Sequence, residues 1–184
     1  MKHTSPKIIL IDQDGVLADY QSTLHKILVR EHPDKTWLPL HQLAHHDTEK
    51  NYPKEYGDII EEITLRKGFY RSFLPIKGGR EALEHMQALG HDVRICTAPK
   101  RKYQNCVLEK LEWIEEHLGS TWAEQTIITR DKTLVTGNIL IDDKPNITGA
   151  CAPTWKQIFY DQPYNRAHSK PRLNWLNYKE VLEL

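Results

Sequence analysis

Cysteine is scarce in this chain of 184 residues: there are three, an odd number, and Cys96, Cys106 and Cys151 form no Cys-x-x-Cys pair. That usage argues against a disulfide framework and a structural zinc site and fits a reducing, cytoplasmic setting. A surplus of charge of one sign is also missing, because 25 basic side chains meet 25 acidic ones. No nucleic-acid polymer is therefore expected as a partner, since proteins that bind one usually carry a basic excess. Long apolar runs are lacking too. Residues 1–6 are polar, and the apolar run after them is too short for a signal peptide or a bilayer span, so neither targeting nor a membrane partner is expected. The remainder, 39% hydrophobic and 27% charged, has the make-up of one globular domain with a sizeable core and room for an insertion.

Short β-branched runs alternate with helical patterns along the chain. Ile8–Ile11, Val93–Cys96, Thr126–Thr129, Ile139–Ile141 and Gln157–Tyr160 are predicted strands, and continuous apolar runs suit strands of a parallel sheet covered on both faces. Between them, Gly78–Leu89 has Ala82, Leu83, Met86 and Leu89 at helical spacing. The next helix, Cys106–Leu118, sets Val107, Leu108, Leu111, Ile114 and Leu118 as its inner stripe and stops at Gly119. Trp175–Leu184 reads as a last docking helix. The fold class that follows is α/β, a doubly wound and mostly parallel sheet. One region interrupts the alternation. Residues 18–73 hold helical patterns at Tyr20–Arg30 and Tyr56–Arg66 around a polar, proline-bearing stretch, and they read as a helical cap inserted after the first strand, with 1–17 and 74–184 as the α/β core.

Two strands end alike. Ile8–Ile11 runs into Asp12-Gln13-Asp14-Gly15, and Ile139–Ile141 runs into Asp142-Asp143. A turn at Gly15 would explain the first pair alone, since Asp and Gly are common turn residues. If both strands are central and parallel, however, three or four carboxylates converge and repel one another, and a hard divalent cation, Mg2+, meets that need. The other strand ends add Thr97, with Ala98 and the amides after it, for a phosphoryl oxygen, and Lys132 as a compact positive charge.

The ordered set Asp-x-Asp, Thr, Lys, Asp-Asp, each after its own strand, resembles the four motifs of the haloacid dehalogenase-like phosphohydrolases. Within that superfamily, Asp12–Tyr20, Gly68-Phe69-Tyr70 ahead of Leu74-Pro75-Ile76, and Ile141–Pro145 resemble the 5′(3′)-deoxyribonucleotidases. The resemblance implies a Mg2+-dependent phosphatase for deoxyribonucleoside monophosphates that works through an aspartyl-phosphate. Asp12 is the expected nucleophile and Asp14 the expected general acid and base, the latter with a raised pKa. Thr97 and Lys132 meet the charge of the transferring group. Asp142 binds the metal beside Asp12 and the main-chain carbonyl of Asp14, and Asp143 supports them. Phe69 and Tyr70 are expected to line a nucleobase pocket, and Lys100 or Arg101 to lie near the phosphate. Two departures stand out. Gln13 occupies a position where that family usually has Met, and Ala98-Pro99-Lys100-Arg101 replaces a serine-proline-aliphatic-lysine pattern, which leaves nucleobase preference open.

Other features have duller readings. His41, His45 and His46, beside Asp47, are expected at the surface or in the cap rather than on zinc, and Asp161–Arg166 receives no role. The sequence does not decide between a monomer and a homodimer. Rival readings are a phosphatase for sugar phosphates or other small phosphomonoesters, a non-catalytic nucleotide-binding protein of the same fold, and a phosphoacceptor signalling domain. The last keeps its adjacent acid pair after the first strand and has no cap, unlike this chain.

Overall fold

The computed structural model describes residues 5–184. Six parallel strands form one sheet in the order β3-β2-β1-β4-β5-β6. They are β1 (Ile8–Ile11), β2 (Asp92–Thr97), β3 (Ile127–Ile128), β4 (Ile139–Asp142), β5 (Lys156–Tyr160) and β6 (Arg172–Leu173). The two-residue edge strand β6 has no counterpart in the sequence reading. Its pairing is too short to produce a periodic pattern, and it exists because Phe159 and Tyr160 supply a template.

The central strands are apolar throughout, as burial on both faces requires. Ile9, Leu10, Ile11, Ile95, Leu140 and Ile141 are fully buried. Helices α3 (Gly79–Ala88) and α4 (Cys106–Leu118) follow the expected spans, with α5 (Ser120–Glu124) after them. At the C-terminus only α6 (Tyr178–Val181) is helical. Trp175, expected to open that helix, instead packs on Gly78 and Gly79 and donates its indole N–H to the Val16 carbonyl at 2.8 Å.

The face that α4 buries differs from the expected stripe. Val107 and Leu108 are 38% and 57% exposed, while Cys106, Glu109, Lys110, Trp113, Ile114 and Leu118 are buried. The helical period holds; its phase is turned. Two charged residues occupy the inner face because they meet polar partners there.

Between β1 and α3 lie α1 (Tyr20–Glu31), α2 (Lys54–Thr64) and two single 3₁₀ turns. Asp19 caps α1, its carboxylate accepting the Ser22 amide at 3.1 Å. The chain leaves and rejoins the sheet side by side: the Asp19 amide donates to the Leu74 carbonyl at 2.8 Å and the Ile76 amide to the Leu17 carbonyl at 2.7 Å. One buried apolar cluster runs through both parts, joining Leu24, Leu28, Ile60 and Ile63 to Ile9, Ile11 and Val93. Among the described residues no helix is long and apolar enough to cross a membrane.

Candidate active site

Register brings the acids together. Ile11 of β1 pairs with Ile141 of β4, so the next residues, Asp12 and Asp142, leave the sheet as neighbours, and the Asp12 amide donates to the Ile141 carbonyl at 2.9 Å. On the other side Ile11 pairs with Ile95, which carries Thr97 to the same edge. The loop after β1 turns tightly there. Gly15 has a φ of +74°, and a Cβ at this position would run into the Asp143 carboxylate. Only glycine permits both the turn and that approach.

Lys132 stands between the two strand ends. Its Nζ lies 2.8 Å from Asp12 Oδ1 and donates to Asp142 Oδ2 at 2.6 Å. Burial opposes its charge, but the flanking Asp12 and Asp142 carboxylates outweigh that and hold its pKa well above the ordinary lysine range. Burial likewise pushes the Asp142 carboxyl upward, opposed by Lys132 and reinforced by Asp12. Asp143 receives a short hydrogen bond from the Tyr164 hydroxyl, while its Oδ1 is buried without a partner. Carboxylate oxygens of Asp12, Asp142 and Asp143 lie within 4.8 Å of one another. A set of hard oxygen donors with an orphaned buried oxygen is a fitting cage for a small divalent cation.

Asp14 faces a second buried lysine. Lys110 Nζ donates to Asp14 Oδ2 at 2.6 Å and to Thr97 Oγ1 at 3.0 Å, and Asp14 Oδ1 is buried with no partner. Burial raises the Asp14 pKa, with Lys110 opposing and Asp12 adding to the rise. The direction is the one expected of a general acid.

Asp12, Asp14, Thr97, Lys132, Asp142 and Asp143 line a cavity of about 380 Å³, whose wall also includes Ala98, Lys100 and Tyr70, while Lys110 lies behind it. Its size suits a nucleotide-sized ligand. Not every expected contact reaches it. Phe69 packs edge-to-face on Tyr20, Tyr70 and Phe73 and stands behind the wall, so Tyr20, Tyr70 and Tyr164 supply the tyrosine rings of the lining. Arg101 is exposed and outside the lining, whereas Lys100 turns inward and donates to Thr64 Oγ1 at 2.7 Å.

Besides Tyr20, four contributions went unnoticed in the sequence. Lys110 and Glu109 lie outside the inner stripe expected of α4 and received no role. Tyr164 lies in a segment without assigned role. His46 read as a surface or cap histidine, yet it lines the cavity, pairs with Asp47 at 3.1 Å and approaches Asp143 to 3.8 Å. The sequence offered one signal: polar residues at positions 109 and 110, at inward-facing helical spacing from Cys106 and Trp113.

The model of the family described as 5′ nucleotidase, deoxy (pyrimidine), cytosolic type C protein matches residues 6–184. The chain belongs to the 5′(3′)-deoxyribonucleotidase family. A candidate 5′(3′)-deoxyribonucleotidase of Bordetella pertussis is 44% identical over 176 residues, 95% of each chain. The human cytosolic-type 5′(3′)-deoxyribonucleotidase is 36% identical over 186 residues, covering 95% of this chain and 92% of the human one. In fold the chain resembles a haloacid dehalogenase-family hydrolase from Deinococcus radiodurans, solved with phosphate and sodium, at a TM-score of 0.58 and 16% identity over 96% of this chain and 95% of that one. A candidate phosphatase from Clostridium acetobutylicum gives a TM-score of 0.62 at 14% identity, over 98% and 100%. Membership of the 5′(3′)-deoxyribonucleotidase family makes the protein a phosphoric monoester hydrolase whose substrate is a small nucleotide.

Proposed function

We propose that the protein hydrolyses deoxyribonucleoside monophosphates in two steps through an aspartyl-phosphate on Asp12, with Mg2+ as its cofactor. In the first step an Asp12 oxygen bonds to phosphorus as the phosphorus–ester bond breaks, and Asp14 gives its proton to the departing sugar oxygen. In the second, water attacks the phosphorus of the aspartyl-phosphate and yields a proton to Asp14, releasing inorganic phosphate and restoring both carboxyls. Thr97 and Lys132 hold the phosphoryl oxygens, because this transfer depends chiefly on positioning and electrostatics. Asp12, Asp142 and the Asp14 carbonyl are the groups that would hold Mg2+, supported by Asp143; when bound it supplies positive charge to the phosphoryl group. Residues 18–73 act as a cap that selects the ester, with Tyr20 and Tyr70 against the nucleobase and Lys100 near the phosphate. A cytoplasmic setting fits the buried free thiols of Cys96 and Cys106.

The observation that carries this reading is the convergence of Asp12, Asp14, Thr97, Lys132 and Asp142 on one cavity at the carboxyl edge of the sheet. A panel of phosphomonoesters assayed with Mg2+ and with EDTA tests it. Phosphate release from deoxynucleotides that exceeds release from sugar phosphates, and that stops with EDTA, is the expected result. Preference for a sugar phosphate, or release unaffected by EDTA, overturns it.

A further inference from the structure

Lysine is among the residues least often fully buried, and one that is calls for a reason. Lys110 is 1% exposed. Stability alone is a poor reason, since a buried ion pair replaced by apolar side chains of similar volume is often no less stable. Its surroundings fix it closely: its main-chain carbonyl accepts the Gln13 side-chain amide at 3.1 Å, and its ammonium lies 5.4 Å from the centre of the Tyr70 ring. Gln13, the residue between the two acids of the first motif, thus ties that loop to this turn of α4.

We propose that Lys110 is a positioning residue that orients the carboxyl of Asp14 and the hydroxyl of Thr97 for phosphoryl transfer. Its ammonium donates to Asp14 Oδ2, and an oxygen already accepting such a bond is a poor place for a proton. Oδ1, which has no partner, is left to carry it. The same ammonium donates to Thr97 Oγ1. With its lone pair engaged, that hydroxyl is left to donate its own hydrogen to a phosphoryl oxygen. One charge sets two neighbouring groups as donors toward one reacting centre. In the first step the proton passes from Asp14 Oδ1 to the ester oxygen as the bond from that oxygen to phosphorus breaks and the bond from Asp12 to phosphorus forms.

This inference rests on the hydrolase reading above, and leaving-group dependence tests it separately. The alkoxide of a deoxyribose needs a proton to leave; nitrophenolate does not. The measurement is the first-turnover release of deoxynucleoside from a deoxynucleoside 5′-monophosphate and of nitrophenol from p-nitrophenyl phosphate, with wild type and Lys110→Met. The ratio of the two rates within one preparation does not depend on the fraction folded. Lys110→Met should slow release from the deoxynucleotide by roughly 100-fold or more and from the aryl ester by less than about tenfold, with KM little changed. In an Asp14→Asn background the same change should add no more than the loss it causes on the aryl ester, under about tenfold, which comes through Thr97 alone. If Lys110→Met does not fold, Lys110→Gln is read in the same ratio. Equal losses on both esters, or no loss on either, overturn the positioning role. Wild-type protein that releases phosphate from neither ester overturns the hydrolase reading, and this inference with it.

Discussion

Asp12 and Asp14 are two residues apart, yet they face different lysines, Lys132 and Lys110. Asp12 meets the Lys132 ammonium at 2.8 Å, so a positive charge faces the carboxylate proposed as the nucleophile. Asp14 is half-buried with its Oδ1 enclosed and unpartnered, and desolvation, opposed by Lys110, raises its pKa, the direction the proposed acid needs. Replacing Asp12 by Asn should lower kcat by roughly 10⁴-fold or more, and the variant should form no phosphorylated active-site peptide by mass spectrometry. For Asp14 the sign is set by burial. Its folded pKa lies above the ordinary 3.8, so the protein keeps this proton to a higher pH than the unfolded chain does. The stability it contributes is present below the unfolded value and is lost as pH rises through the folded one. Deoxynucleotide release should decline over the same upper window, and Asp14→Asn should lose that limb along with most of its rate. Both acids were legible because an apolar strand ending in Asp-x-Asp has few purely structural explanations. Their electrostatic division was not legible, because Lys110 and Lys132 lie far along the chain from them.

Helix α4 shows how an element can be recognised and still be turned the wrong way. Its bounds follow from the helical period and from Gly119. Its buried face, however, includes Glu109, whose carboxylate accepts the Gly68 amide at 2.7 Å, the Tyr70 amide at 3.1 Å and the Tyr103 hydroxyl. The helix thus fastens the segment that returns from residues 18–73, and with it the Tyr70 ring. Glu109→Ala would leave two amides and a hydroxyl without an acceptor. It should lower stability by about 2–4 kcal/mol in urea unfolding and raise KM for the nucleotide as Tyr70 loosens. On the opposite face, Leu108→Lys should change stability by no more than about 0.5 kcal/mol, because that side chain is already mostly in water. If the costs were reversed, the helix would be facing the other way. Hydrophobic periodicity ranks Leu108 above Glu109 as a core residue, and it errs here because it does not register polar partners that arrive from other elements.

For the whole molecule, three carboxylates meeting at one sheet edge are a standing liability that a cation relieves. Adding Mg2+ at about 100 times its dissociation constant should stabilise the fold by about 2.7 kcal/mol. In a thermal scan against EDTA that is roughly 5–10 °C for a chain of this length. Asp142→Asn should abolish the shift, and a wild-type Tm indifferent to the metal would count against the cage. The sequence by itself determined the class of fold and the motif order, because alternating apolar strands and helices have few ways to bury both faces of a sheet, and each motif sits at the end of its own strand. It also marked Asp12, Asp14, Thr97, Lys132 and Asp142, since those strand ends must share an edge once the strands run parallel. Only the tertiary structure decided that Lys110 and Tyr164 touch the acids, that Tyr20 lines the cavity in place of Phe69, and that Arg101 points away from it. Those choices depend on helix phase and on loops crossing from separate parts of the chain, and contacts between distant residues leave no periodic trace in one sequence.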